Sequence, residues 1–236
     1  MVYGVILAGG VGSRMGGEKP KQYLDLKGKP IIVYTIEKFF TCPQFEKVIV
    51  LCPAQWVEHT RNLIAKHLAP AGDKIAVIEG GSTRNETIMN AIAFIEAEGK
   101  LDDSTVIVTH DSVRPFVTHR IIEENIKVCE HFDACDTVIP ATDTIVEALN
   151  GATISNIPDR SRMYQGQTPQ SFKATKLKAL YEALTDEEKD ILTDACKIFV
   201  LKGEEVALVD GETFNIKITY PYDLRIAKSL LEDEEE

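Results

Sequence analysis

The chain has 236 residues, 44% of them apolar, and a formal net charge of −11. This length is enough to bury a large core, and the acidic balance disfavours nucleic acid and anionic membrane surfaces as partners, because both attract basic faces. Several acidic residues form the C-terminal run at 232–236, which predicts a solvated tail after one domain that spans residues 1–231.

The cysteine pattern and the N-terminal sequence indicate in which cellular compartment the protein is expected. The five cysteines are odd in number and show no metal-binding spacing, so we expect a reduced, cytoplasmic protein. The N terminus lacks the charged and apolar regions of a secretory signal, and no apolar run approaches the length of a membrane span. We therefore expect neither export nor membrane insertion.

Apolar, strand-like runs alternate with segments of helical periodicity through the first half of the chain. Strands are predicted at 2–7, 47–52, 74–78 and 105–109, and helices at 31–40, 56–68, about 84–97 and about 120–130. Such β-α units with continuous apolar strands are typical of a parallel sheet covered on both faces, which binds ligands at the carboxyl ends of its strands.

The pattern changes after residue 133. Residues from about 137 to 162 carry β-branched pairs around a turn at Asn150 and Gly151, which predicts a β-hairpin arm that projects from the core. The chain then returns through a helix, a second helix that begins at the capping box of Thr185 and Glu188, a strand that ends in NIKIT at 215–219, and a last helix opened by Pro221.

The first strand leads into a glycine-rich, basic loop within VYGVILAGGVGSRMGGEKPKQYL at 2–24. Backbone N–H groups and fixed cations in such a loop replace the water that a phosphate loses on binding. The loop does not match a dinucleotide fingerprint, because Met15 stands where the third glycine belongs, or a P-loop, because Glu18 stands where the lysine belongs. It predicts another phosphate-binding loop, in which Arg14 and Lys21 supply the cations.

The stretch LAGGVGSRMGGEKPKQYL closely resembles the signature of sugar-nucleotide and polyol-phosphate nucleotidyltransferases. The resemblance is strongest to the cytidylyltransferases that act on methylerythritol phosphate or ribitol 5-phosphate. Further motifs extend it over nearly the whole chain: EGGSTRNET at 79–87, THDSVRPF at 109–116, TDT at 142–144, PDRSRMYQGQTPQSF at 158–172, TDACK at 193–197 and NIKIT at 215–219.

This resemblance implies a fold and a reaction. The fold is a three-layer, Rossmann-like α/β nucleotidyltransferase fold with a mostly parallel sheet and the projecting hairpin arm. The reaction transfers CMP from CTP to a polyol phosphate, with Mg²⁺ as cofactor and pyrophosphate as the second product.

Two groups of residues are expected to handle CTP. Arg14 and Lys21 are the catalytic candidates, because charge builds on the α-phosphorus and on the leaving pyrophosphate, and fixed cations stabilise it. By resemblance, the CTP site comprises Leu7, Ala8, Gly9, Gly10, Gly81, Ser82, Thr83, Arg84, Asn85, Glu86, Thr87 and Ser112. Thr83 and Glu86 form a capping box, which makes Arg84 the first helical residue and leaves its charge against the helix dipole unless something compensates it.

Asp111 is the candidate Mg²⁺ ligand, since a carboxylate beside a polyphosphate offers the hard oxygen that this ion prefers, although an aspartate that caps a helix is the alternative. His110 has no spaced metal-ligand partner and is interpreted as structural. By resemblance, the acceptor's phosphate is held by Lys217 with Thr168 and Thr193, while Thr144 and Arg160 arrive on the arm of a second subunit. A homodimer is thus implied, in which each arm completes its neighbour's pocket.

The two families that the sequence resembles differ in the acceptor, which is ribitol 5-phosphate in one and methylerythritol phosphate in the other. The segments at 7–10, 85–90, 112–113 and 163–167 look more like the ribitol branch, and Gln165 and Gln167 are candidates to hydrogen-bond the additional hydroxyl of ribitol. This implies that ribitol 5-phosphate is the acceptor and that CDP-ribitol serves a polymer such as teichoic acid, with methylerythritol phosphate of isoprenoid synthesis as the alternative. A nucleotide-dependent oxidoreductase and a non-catalytic nucleotide-binding module are the hypotheses from other classes.

Overall fold

The computed structural model of the protein describes residues 1–10 and 19–233. In chain order the elements are β1 (Val2–Leu7), β2 (Asp25–Leu26), β3 (Lys29–Pro30), α1 (Ile31–Phe40), β4 (Lys47–Cys52), α2 (Val57–His67), β5 (Ile75–Glu79), α3 (Arg84–Ala97), β6 (Val106–Asp111), α4 (His119–Val128), β7 (Ala134–Pro140), β8 (Tyr164–Lys173), α5 (Ala174–Glu182), α6 (Asp186–Asp190), α7 (Cys196–Leu201), β9 (Ala207–Asp210) and α8 (Pro221–Asp233).

Seven strands form the central sheet, in the order β5-β4-β1-β6-β8-β7-β9. The pairs β5–β4, β4–β1, β1–β6 and β7–β9 are parallel, whereas β8 is antiparallel to both of its neighbours. The expected mostly parallel α/β sheet is confirmed. Leu7 of β1 pairs with Leu51 of β4 and with Asp111 of β6, so these strands end at one edge of the sheet, where the candidate site lies.

Apolar side chains cover both faces of this sheet. One face packs on α1, α2 and α4 through buried residues such as Ile36, Ile64 and Ile121. The other packs on α3, α5 and α7 through residues such as Ile92 and Phe199. Because β1, β4 and β6 are buried on both faces, their sequences are continuous apolar runs rather than alternating ones.

Several parts of the structure differ from the expectations. β8 was not expected as a strand, because YQGQTPQSFK is poor in β-branched residues. The NIKIT segment at 215–219 does not form the expected strand. It makes one backbone contact with the loop after β6, a hydrogen bond of 2.9 Å from the Ile218 N–H to the Val113 carbonyl. The short hairpin β2–β3 is additional, and its turn puts Lys27 and Gly28 at positive φ.

The arm occupies residues 141–163 rather than 137–162, because residues 137–140 belong to β7 and hydrogen-bond within the sheet. Its base is closed by a hydrogen bond of 2.9 Å from the Ala141 N–H to the Met163 carbonyl, and its tip by a bridge between Glu147 and Asn156. The expected turn is present, with Gly151 at a φ of 70°. The arm is thus a loosely paired hairpin, most of whose side chains are exposed.

Within the described residues, no helix is long and apolar enough to cross a membrane. All five cysteines are buried and unpaired.

Candidate active site

A cavity of roughly 380 Å³ opens at the carboxyl edge of β1 and β6, a size that suits a small ligand. The described residues that line it are Leu7, Gly9, Gly10, Lys21, Gln22, Gly81, Ser82, Thr83, Arg84, Thr87, Asp111, Ser112, Val113, Lys217 and Thr219. They come from five segments of the described chain, at 7–10, 21–22, 81–87, 111–113 and 217–219, which meet at the edge of the sheet where its parallel strands end.

Gln22 fixes the basic turn that carries Lys21. Its side chain is buried, and Nε2 donates hydrogen bonds of 2.8 Å to the Ala8 carbonyl and 3.0 Å to the Gly10 carbonyl. Next to it, the Tyr23 ring stacks on Trp56 and the Tyr23 hydroxyl lies 2.8 Å from Thr60 Oγ1. The turn is therefore tied both to the end of β1 and to α2, which holds Lys21 at the cavity.

The loop before α3 is held by its own side chains. Thr83 Oγ1 accepts from the Glu86 N–H, and the Glu86 carboxylate accepts from the Ser82 and Thr83 N–H groups, which confirms the expected capping box. The Thr87 hydroxyl accepts from the Gly81 N–H and donates to the Thr83 carbonyl. A Cβ on Gly81 would clash with Glu86, so glycine is needed for this close approach.

Asp111 stands at the centre of a cluster of cations. It is 6% exposed; Oδ1 pairs with Arg84, Oδ2 lies 2.8 Å from Lys217 Nζ, and Arg114 Nε lies 3.8 Å from Oδ2. Arg84 thereby finds the anionic partner that its position at the start of α3 requires. Three cations around one carboxylate leave a surplus of positive charge, which suits a polyanionic ligand.

The cations also set the protonation state of Asp111. Burial alone would raise the pKa of this carboxyl, but Arg84, Lys217 and Arg114 outweigh burial and hold the pKa well below its usual range. Asp111 is therefore ionised at any physiological pH.

His110 and Thr168 fix the position of Asp111 through hydrogen bonds. His110 is fully buried, and burial lowers its pKa to about 4, so the ring is neutral. Nε2 donates to the Arg114 carbonyl over 3.0 Å, which leaves Nδ1 to accept from the Thr168 hydroxyl over 2.9 Å. The same hydroxyl accepts from the Asp111 N–H. His110 is structural, as expected.

Most of the expected site residues come together in the cavity. Those that line it are Leu7, Gly9, Gly10, Lys21, Gly81, Ser82, Thr83, Arg84, Thr87, Asp111, Ser112 and Lys217. Ala8 and Asn85 are buried outside the lining, and Glu86 is used by the capping box. Arg14 lies outside the described residues.

The acceptor residues are more scattered. Thr168 is buried and its hydroxyl is used by His110 and Asp111 rather than presented to a ligand. Thr193 is exposed before α7. Thr144 and Arg160 lie on the exposed arm, where Arg160 donates to the Thr142 carbonyl over 3.0 Å, and neither lines this chain's cavity.

Sequence reasoning missed Gln22, Val113 and Thr219. Gln22 acts through long-range bonds to backbone carbonyls, and Val113 packs under the site with Ile218. The position of Gln22 directly after the basic KPK stretch is the one local signal that could have indicated its role.

The residues of this site could bind a magnesium ion only together with a bound phosphate ligand. Among the described residues, no group of three or more His, Cys, Asp or Glu side chains could hold a metal, and Asp111 is the one acidic residue of the cavity lining. Mg²⁺ is commonly bound by one or two carboxylates together with phosphate oxygens and water. The donor set therefore suits an ion that arrives with a nucleotide, with Asp111 as its protein ligand.

Comparison with known families identifies the chemistry of this site. A model of the family described as IspD, 2-C-methyl-D-erythritol 4-phosphate cytidylyltransferase, matches residues 2–233. The chain belongs to this family. It is therefore a cytidylyltransferase, an enzyme of the nucleotidyltransferase class, and CTP and a phosphorylated acceptor are its type of substrates.

Solved structures of this family share the fold. The 2-C-methyl-D-erythritol 4-phosphate cytidylyltransferase of Francisella tularensis is 27% identical, with a TM-score of 0.79 over 97% of this chain and 98% of that chain. The enzyme of the same description from Thermus thermophilus is 25% identical, with a TM-score of 0.72 over 98% of this chain and 100% of that chain. The 4-diphosphocytidyl-2C-methyl-D-erythritol synthase of Anaerococcus prevotii has a TM-score of 0.80 at 23% identity, over 98% and 96% of the two chains, and this likeness concerns the fold alone.

Proposed function

We propose that the protein transfers the CMP group of CTP to the phosphate of a small polyol phosphate and releases pyrophosphate. The observation that carries this proposal is the cluster of Arg84, Arg114 and Lys217 around the ionised Asp111, at the floor of a cavity whose other wall is a glycine-rich turn. Two phosphorylated substrates that react with each other need such a surplus of cations.

CTP is proposed to lie between the two glycine-containing loops. The backbone of Gly9 and Gly10 and the side chain of Lys21 meet the triphosphate, and the loop from Gly81 to Thr83 meets the cytidine. The capping box makes this second loop rigid before the ligand arrives, so little conformational entropy is lost on binding. A rigid, narrow loop also favours a pyrimidine over a purine.

In the proposed reaction, a phosphate oxygen of the acceptor attacks the α-phosphorus of CTP. A new P–O bond forms, the bond from the α-phosphorus to the oxygen that bridges to the β-phosphate breaks, and pyrophosphate leaves with the electron pair. The attacking oxygen is already ionised, so no general base is required. Lys21, together with Arg14, stabilises the charge that grows on the α-phosphoryl and pyrophosphate oxygens.

Lys217 is proposed to hold the acceptor's phosphate. Its side chain is nearly half exposed while its ammonium pairs with Asp111, so Lys217 can contact a ligand without leaving the protein core. Mg²⁺, held by Asp111 and the triphosphate, would neutralise charge on the phosphates when bound. Asp111 then serves two purposes, because it orients the cations and offers an oxygen to the ion.

We further propose that Thr193 joins Lys217 at the acceptor site and that Thr144 and Arg160 complete this site from the arm of a second copy. Two observations support the arm as the contact: Thr144 and Arg160 are not among the residues that line this chain's cavity, and the arm exposes Val146, Leu149, Ile154 and Ile157. Exposed apolar side chains on a projecting hairpin are buried most simply by a second copy.

Two acceptors remain candidates, and different observations favour each. The family description and the related solved structures favour 2-C-methyl-D-erythritol 4-phosphate, which we therefore give precedence. The ribitol-like sequence segments favour ribitol 5-phosphate. The proposed hydrogen bond from Gln167 to ribitol is weakened as an argument. Gln167 is buried, and its amide already bonds to the Glu212 carbonyl and the Asn215 side chain.

The deciding experiment measures pyrophosphate release from CTP and Mg²⁺ with each acceptor in turn. We expect release to require both CTP and a polyol phosphate, and kcat/KM to be higher for the true acceptor by at least one order of magnitude. ATP in place of CTP is the matched control. CTP binding without release of pyrophosphate, with either acceptor, would overturn the catalytic proposal in favour of a nucleotide-binding module.

A further inference from the structure

Asp136 is a partly buried carboxylate outside the cavity lining, near enough to Arg84 and Arg114 of the cation cluster to interact with their charges. It lies on β7 opposite Gln170 of β8, at a register shift between residues 136 and 138. Its Oδ1 accepts a hydrogen bond of 3.1 Å from Gln170 Nε2. No ion pair to Asp136 occurs within residues 1–10 and 19–233.

Gln170 holds this carboxylate in a fixed position. The Gln170 side chain is 2% exposed, and its Oε1 is buried without a hydrogen-bond partner in the described part of the chain. Rotation of the amide would bring Oε1 against Oδ1 of Asp136, two acceptors face to face. Gln170 thus donates to Asp136 at the cost of a buried amide oxygen without a partner. This cost is unfavourable for stability, so the pair is better explained by a role for Asp136 in binding than by a purely structural role.

The second oxygen of Asp136 can be reached from outside. A Cβ built on the exposed Gly166 would lie 3.5 Å from Oδ2, so the absence of a side chain at residue 166 leaves this oxygen uncovered. Within the described residues, no hydrogen bond uses Oδ2.

The charges around Asp136 limit what it can bind. Burial raises its pKa to about 6, the Gln170 hydrogen bond lowers it, Asp194 raises it, and Arg84 and Arg114 lower it without pairing with it. Two neighbouring carboxylates, Asp136 and Asp194, repel a phosphate. A neutral hydrogen-bond donor, such as a hydroxyl, suits Oδ2 of Asp136 without that repulsion.

We propose that Asp136, oriented by Gln170 and uncovered at Gly166, binds a hydroxyl group of the acceptor polyol and determines acceptor specificity. This inference rests on the proposed function and deepens it. The acceptor is then oriented by charge: its phosphate lies towards Lys217 and Arg114, and its hydroxylated end lies towards Asp136.

The test compares Asp136→Asn with wild type in the pyrophosphate assay. We expect the KM for the acceptor to rise about 10- to 100-fold, with the KM for CTP unchanged, because one hydrogen bond to a charged group is lost from the acceptor alone. Asp133→Asn is the matched control, since Asp133 is exposed directly before the same strand and the charge change is identical. It should leave both constants at wild-type values.

Two further arms separate binding from structure. Gly166→Ala covers Oδ2 without any change of charge and should also raise the acceptor's KM. A deoxy analogue of the acceptor that lacks the bound hydroxyl should react poorly with wild type and equally poorly with Asp136→Asn, because the same interaction is removed twice.

The outcomes distinguish the inference from the function on which it rests. Wild-type activity with an unchanged acceptor KM in Asp136→Asn would overturn the inference alone. A parallel rise in the KM for CTP would overturn it too, since Asp136 would then shape the whole site. Wild type that turns over neither acceptor would overturn the proposed function together with the inference.

Discussion

The cation cluster around Asp111 and the arm at 141–163 are built in opposite ways. Asp111 is 6% exposed and touches three cations from three different segments, whereas Leu149 on the arm is 84% exposed. The cluster is determined by contacts within one chain, while the arm makes few contacts with its own chain. One chain thus preorganises the nucleotide side of the site, and in the proposed homodimer the acceptor side is completed by the arm of the second copy.

The largest expected effect concerns the preorganised side. Lys21→Ala should lower turnover by roughly 10²–10³ with the fold intact, the usual loss when one group that stabilises the transition state is removed. The pyrophosphate assay measures it, and unfolding followed by circular dichroism checks the fold. Lys19→Ala is the control, because Lys19 is an exposed lysine two residues away. Equal activity of the two variants would refute the role of Lys21, and Arg14→Ala extends the test to the loop.

The second prediction tests whether the arm acts on another copy. Lys21→Ala and Arg160→Ala should each be nearly inactive alone, but a mixture should recover about a quarter of wild-type activity. Random exchange makes half of the dimers mixed, and each mixed dimer has one intact site of two. Arg162→Ala replaces Arg160→Ala in the control. If exchange is demonstrated and activity does not return, Arg160 acts within its own chain or has no role in the reaction.

The third prediction concerns stability and compares partly buried Asp136 on β7 with exposed Asp143 on the arm. The pKa of Asp136 is raised to about 6, so ionised Asp136 destabilises the fold as the pH rises from about 4 through 6. Asp136→Asn should raise the free energy of unfolding at pH 8 by at most about 3 kcal/mol, and by almost nothing at pH 4. Urea unfolding at the two pH values measures the difference.

Asp143→Asn on the exposed arm is the matched change and should shift the free energy of unfolding by less than about 0.5 kcal/mol at either pH. An equal shift for both variants would mean that net charge, not the buried site, sets the effect of pH.

The sequence predicted the parts of the fold whose cause is local. β1, β4, α1 and α3 begin and end where their apolar periodicity and the Thr83 cap indicate. β8 was missed because its buried polar residues, such as Thr168 and Gln170, are stabilised by hydrogen bonds from β6 and β7 that the local sequence does not reveal.

The site follows the same division. The glycine-rich turn, the capping-box loop and Asp111 were recognised from motifs, and the cavity brings them together. Gln22 and Asp136 were not recognised, because each works through a partner distant in sequence, a carbonyl at the end of β1 in one case and the Gln170 amide in the other. Tertiary hydrogen bonds of this kind leave no periodic or spaced pattern to read.

The antiparallel strand β8 joins the two regions mechanically. Its first residues continue directly from the arm, its middle carries Thr168 against His110 and Asp111, and both of its edges are hydrogen-bonded to other strands. The root of the arm therefore cannot shift without either sliding β8 along its neighbours or breaking its ladder to β7. In the proposed homodimer, a second copy that binds the arm would therefore also constrain Thr168, and through it the position of Asp111, the carboxylate that organises the cations.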